Sequence, residues 1–161
     1  MSKQDRQDLA AAKAATAKYQ DIENAYADGY VHEDPYAGIE AGGMGIHLTR
    51  FDISGDTVLD PTQPENLLYE PQKDDSYKLI GIEYHVDASQ VNPETDAAPS
   101  IFGQQLDGTM LNHHLDPSKM TCEDINDRAN RHYDLHVWVW EHNPSGLFSM
   151  WNPNVTDKSA Q

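Results

Sequence analysis

His132-Tyr-Asp-Leu-His-Val-Trp-Val-Trp-Glu-His142 alternates between two chemical classes along its whole length. A period of two is that of a β-strand, whose successive side chains point to opposite faces. One face then carries His132, Asp134, His136, Trp138, Trp140 and His142, and the other Tyr133, Leu135, Val137 and Val139. The second set reads as core. Indoles set among imidazoles and a carboxylate are a costly surface in water, so the first set reads as the wall of a pocket. Directly after it, Asn143-Pro-Ser-Gly146 fits a type I turn and returns the chain through Leu147-Phe-Ser-Met-Trp151, which predicts a hairpin over 132–155 and a polar tail over 156–161.

Working outward, three earlier segments also read as strands. Ile46-His-Leu-Thr-Arg-Phe51 sets His47 and Thr49 opposite Ile46 and Leu48, and Asn66-Leu-Leu-Tyr-Glu70 is a short apolar run. In Tyr77–Val86, Ile80, Ile82, Tyr84 and Val86 form an apolar face opposed by Leu79, Gly81, Glu83 and His85. From Gln4 to Asp28 apolar residues recur at steps of three and four, which predicts an amphipathic helix, with Gly29 placed to end it. Val31 to Gly45 is rich in glycine and reads as loop, where glycines allow turns and close backbone approach. The stretch 87–131 lacks a period and is expected to be an irregular flap, with a short helix near Thr121–Ala129 and with His113 and His114 in its middle. The pattern defines an α+β fold: an N-terminal helix (1–29) packed on a curved, mainly antiparallel sheet or partial β-barrel, in a single domain over 1–161.

Composition narrows the function. Lys plus Arg number 11 against 27 Asp plus Glu, a net charge of −16 over 161 residues, and Asp outnumbers Glu two to one. Such a surface repels nucleic acid, and its self-repulsion is screened in concentrated salt, as in proteins of halophiles. The lone Cys122 excludes an internal disulfide and every multi-thiolate zinc site, so a metal here must take nitrogen and oxygen ligands. No apolar run has the length of a membrane span. The expected place is the cytoplasm of a salt-adapted prokaryote; the alternative is an exported protein whose leader lies outside this sequence.

The three long strands each set His or Glu on the face opposite their aliphatic residues. Neighbouring strands lie about 5 Å apart, so these side chains can converge on one ion. His47, Glu83, His132 and His136 are the candidate ligands, a donor set suited to Zn, Fe, Mn, Ni or Cu. Asp134 is a further ligand or an acceptor that orients an imidazole; Asp134 and Glu83 are also the candidate catalytic bases. Trp138, Trp140 and His85 are the candidate ligand-binding residues. Asp52-Ile-Ser-Gly-Asp-Thr-Val-Leu-Asp60 fails as a calcium loop, since its glycine is displaced and Gln63 stands where the bidentate glutamate belongs.

Gly43-Met-Gly-Ile-His47, Gly81-Ile-Glu-Tyr84 and the block from His132 to Phe148, followed by Trp151-Asn-Pro-Asn-Val155, resemble the motifs of a family of small prokaryotic proteins without assigned activity. The resemblance covers about half the chain and implies a common fold but no reaction; members often carry export signals. A looser similarity is to cupins, whose barrels hold a metal with three His and one Glu. There the Glu shares a short motif with two His, whereas here Glu83 falls between His47 and the His132/His136 pair. Three readings follow. The first is a mononuclear metal site used on a small-molecule ligand, as in a metal-dependent oxidoreductase or hydrolase. The others are a non-catalytic metal or small-ligand binding protein, and a halophilic protein-interaction domain with hydrogen-bonded histidines.

Overall fold

The computed structural model describes residues 1–33, 35–107 and 132–161. Helix α1 (Lys3–Thr16) starts at a capping box: Asp5 N–H donates to Ser2 Oγ at 3.0 Å, and Ser2 N–H donates to Asp5 Oδ2 at 2.9 Å. The single helix expected over 4–28 is broken. The Thr16 hydroxyl bonds back to the Ala12 carbonyl at 2.9 Å, a contact that competes with the helical ladder, and the chain tightens into a 3-10 turn at Ala17–Gln20. Asp21 then caps α2 (Ile22–Ala27) by accepting from Glu23 N–H at 3.0 Å. Gly29 ends it as expected, with φ +95°, while Tyr30 N–H reaches back to the Ala25 carbonyl at 3.0 Å in a Schellman arrangement.

The rest is a six-stranded antiparallel sheet built from β1 (Val31–His32), β2 (Ala37–Ile39), β3 (Gly42–Thr49), β4 (Asn66–Pro71), β5 (Tyr77–Asp87) and β8 (His132–Val137). A short helix, α3 (Phe51–Ser54), follows β3. The spatial order is β1-β3-β4-β5-β8, with β2 also on β3. Among the described residues the sheet is not closed into a barrel, and the fold is α+β, a mainly antiparallel sheet with an N-terminal helix, as expected. Its apolar face carries Ile46, Leu48, Leu67, Tyr69, Leu79, Ile82, Tyr84, Val86, Leu135 and Val137, and packs against Ala12, Tyr19, Ala25 and Tyr30 of the helical layer. Sequence alternation then sends the hydrophilic residues of the same strands to the other face.

Four local expectations are corrected. The pairing of β4 with β5 shifts register after Leu68, leaving Ile80 as an extra residue; this bulge puts Leu79 in the main core and Ile80 in a second cluster with Leu68, Trp138 and Val155. Strand β8 stops at Val137, because Val139 N–H closes a tight turn on the Val137 carbonyl at 3.0 Å and Glu141 N–H crosses to the Ile80 carbonyl at 2.9 Å. The predicted turn is present, with Gly146 N–H on the Asn143 carbonyl at 3.0 Å, but 147–151 forms no strand and the hairpin over 132–155 is not made. The expected loop from Val31 to Gly45 contains β1, β2 and the start of β3. Its glycines do serve close approach: a Cβ at Gly45, where φ is +81°, would sit 2.3 Å from the Tyr69 carbonyl oxygen.

In the expected flap, the described part is ordered by a hairpin of β6 (Ser100–Ile101) and β7 (Gln104–Gln105), turned by Phe102 and Gly103, both at positive φ. Phe102 is buried edge-on against Tyr84, 5.3 Å between ring centroids. Asp107 then exchanges two backbone hydrogen bonds with Asp134, at 2.8 and 3.1 Å. His113, His114, Cys122 and the helix expected at Thr121–Ala129 lie outside the described residues.

Candidate metal centre

Register decides which side chains meet. Thr49, Asn66, Glu83 and His136 stand opposite one another in a row across β3, β4, β5 and β8. The next row holds His47, Leu68 and Gly81, so His47 lies diagonal to Glu83 across β4, and its ring meets the Glu83 carboxylate. Glu83 Oε2 is 2.8 Å from His47 Nε2 and 3.3 Å from His136 Nε2. All three residues are buried, His47 at 4%, Glu83 at 2% and His136 at 2% exposure.

These contacts are not hydrogen bonds. Glu83 Oε2 accepts none of adequate geometry, and its other oxygen takes one from Asn66 Nδ2 at 3.3 Å. With metal–ligand bonds of about 2.1 Å, neighbouring ligand atoms lie about 3.0 to 3.4 Å apart, which the His136 contact matches and the His47 contact approaches from below. The His47 and His136 rings stand nearly perpendicular, 83° between planes and 6.0 Å between centroids. Burial pushes the Glu83 carboxyl up, but the imidazoles of His136 and then His47 outweigh it and hold the group well below the usual carboxylate range. The buried cluster of His47, Glu83 and His136 can hold a metal ion.

His132 is not part of this triad. It stands opposite Asp87, four register positions from His136 along β8, and shares a second cluster with Glu83 and His85. The four-ligand set expected from the sequence therefore splits around Glu83. Asp134 lies between the clusters, with Oδ2 2.9 Å from His132 Nε2 and Oδ1 3.9 Å from His136 Nδ1. It flanks His136 on the ring nitrogen away from Glu83, at ion-pair rather than hydrogen-bond distance. His85 Nε2 meets Asp87 Oδ1 at 2.6 Å; burial lowers the His85 pKa, and Asp87 with Glu83 more than reverses this.

The tryptophans part company. Trp138 stays with the cluster, its ring stacked on His136 at 18° and 6.4 Å, and its Nε1–H donating to the Ser149 carbonyl at 2.5 Å. Trp140 turns to the helical layer. Its Nε1–H donates to Thr16 Oγ1 at 3.0 Å and Lys13 Nζ lies 5.2 Å from its ring centroid, so it lines no site with His136. The end of β8 after Val137 is the cause, since the alternation that placed Trp140 beside Trp138 holds only while the strand lasts. Sequence reasoning missed Asn66 and Asp87, whose side chains hold Glu83 and His85 in place. Only the pairing of β4 with β5 brings Asn66 opposite Glu83, and a single strand carries no signal for that.

No protein-family model, curated protein or solved structure matches the chain. Among the described residues no helix is long and apolar enough to cross a membrane.

Proposed function

We propose that this protein binds a divalent transition metal through His47, Glu83 and His136, as a mononuclear site of two histidines and one carboxylate. One observation carries the reading. Three ligand atoms from three different strands converge within 4.8 Å of one another, around a buried Glu83 oxygen that makes no hydrogen bond. Burial makes a carboxylate costly, and a dication would offset that cost in place of protonated His47 and His136. The donors suit Fe(II), Mn(II), Zn(II), Ni(II) or Cu(II), and two His with one carboxylate on one side of an ion leave coordination positions open. Used catalytically, the ion would act as a Lewis acid or activate water for a small-molecule ligand beside Trp138, with Asp134 steadying His136. The burial of all three ligands favours a second reading, a non-catalytic protein that holds its metal away from solvent.

Element-resolved metal analysis of tag-free protein purified in high salt tests the proposal. We expect at least one equivalent of a single transition metal, with one equivalent lost in His136→Ala and none lost in His32→Ala, whose histidine is exposed and bonded to Tyr26. Folded, metal-free protein that takes up none of a panel of divalent ions would overturn it and return the histidines to a hydrogen-bonding role.

A further inference from the structure

We infer that a second ion binds beside the first, held by Glu83, His85 and His132, with the Glu83 carboxylate bridging the two. This deepens the reading above and rests on it. The ligand-capable atoms of these three residues also lie within 4.8 Å of one another. Glu83 belongs to both triads, and a carboxylate has about four lone-pair positions on two oxygens, enough for one ion on each side.

The sheet places the second triad by the same register logic as the first. Glu83 and His85 are two residues apart on β5 and therefore share a face, and His132 is diagonal to His85, its own partner being Asp87. The His85 and His132 rings lie 4.5 Å apart between centroids with planes 31° from parallel. This brings two imidazoles side by side along the sheet from Glu83 in the direction opposite to the His47 row. Each is already matched with a carboxylate, Asp87 Oδ1 on His85 Nε2 at 2.6 Å and Asp134 Oδ2 on His132 Nε2 at 2.9 Å. A carboxylate on one imidazole nitrogen fixes the tautomer and raises the basicity of the other, the usual outer support of a metal-bound histidine. Asp134 also stands 3.9 Å from His136 Nδ1, so one aspartate lies beside a ligand of each triad.

Charge permits the same arrangement. Four imidazoles, Glu83, Asp134 and Asp87 give three negative charges when the histidines are neutral. One dication leaves this cluster at −1 and two leave it at +1, so its charge accommodates a second ion, and a hydroxide between the two would bring it to neutrality. Carboxylate-bridged ion pairs of this kind stand about 3.5 to 4 Å apart.

The test uses full-length protein stripped of metal and reloaded with Mn(II), read by metal stoichiometry and by electron paramagnetic resonance. Two ions per chain with an exchange-coupled spectrum are expected in the unaltered protein, which settles the matter even where a variant misfolds. His85→Gln should fall to one ion with the six-line spectrum of isolated Mn(II), His136→Ala should also lose one, and Glu83→Gln should weaken both. One uncoupled ion per chain, retained in His85→Gln, would overturn the second site and leave the first standing. No bound ion at all would overturn both.

Discussion

Glu65, just before β4, is 1% exposed, and its Oε2 accepts a hydrogen bond from His85 N–H at 3.1 Å. Burial is the dominant influence on its carboxyl, which is pushed up from 4.5 to about 7. Below pH 4.5 the group is protonated in both the folded and the unfolded chain and has no effect on stability. Between pH 4.5 and about 7 the unfolded chain releases its proton while the fold keeps it, so stability falls as pH rises. The fall over that window is about 3 kcal/mol, at about 1.4 kcal/mol for each pH unit. Glu65→Gln removes the titration and keeps a carbonyl for His85 N–H, but adds an amide NH2 that must be accommodated at a cost of about 1 kcal/mol. The variant should therefore be about 1 kcal/mol less stable than the parent at pH 4.5 and about 2 kcal/mol more stable at pH 8. For a chain of this length that gain is a rise in Tm of roughly 4 to 8 °C. Urea unfolding of both proteins at the two pH values in the same salt reads the difference directly, because the remaining carboxylates contribute equally to both. A difference that does not change with pH, or a variant less stable at pH 8, would refute the reasoning.

Further outcomes follow from other parts of the fold. Gly45→Ala should lose at least 2 kcal/mol in chemical unfolding, since it combines a left-handed backbone with a Cβ 2.3 Å from the Tyr69 carbonyl oxygen; a loss below 0.5 kcal/mol, taken as about the noise of a surface change, would mean β3 can move away from β4. Trp140→Phe should cost about 1 kcal/mol through the lost bond to Thr16 and leave metal uptake unchanged. A drop in metal affinity in that variant would put Trp140 back at the site. With a net charge of −16, raising KCl from 0.1 to 2 M should raise the Tm, because the Debye length falls from about 10 Å to below about 3 Å. A flat or falling Tm across that series would remove the salt-adapted interpretation of the composition.

Alternation made β3, β4 and β5 legible, and placed His47, Glu83 and His136 on one face before any pairing was known. Two features defeat a period-two reading. A bulge inserts one residue into one strand, so Ile80 changes face without any change in its own neighbourhood of sequence. A strand can also end inside an alternating run. Trp138, Val139 and Trp140 have strand propensity, but the Val139 turn onto Val137 answers to contacts with Ile80 and Leu147 that lie far away along the chain. The division of the histidines into two clusters has a similar origin. His132 and His136 share a face, yet which of them meets His47 depends on Glu83 pairing with His136 and Asp87 with His132, a choice of register that neither strand contains alone.

The mutual backbone bonds of Asp107 and Asp134 have a bearing on how these molecules behave toward one another. Among the described residues β8 is an end strand, and an end strand offers a foreign chain a row of unsatisfied amide groups. The central outward rung of β8 is taken by Asp107 of the same chain. At the opposite margin the sheet finishes in β1 and β2, two and three residues long, too short to template a new strand. Concentrated salt, which screens the mutual repulsion of acidic surfaces, is the condition under which open sheet margins become hazardous, and here both margins are blunted by the backbone itself rather than by charge.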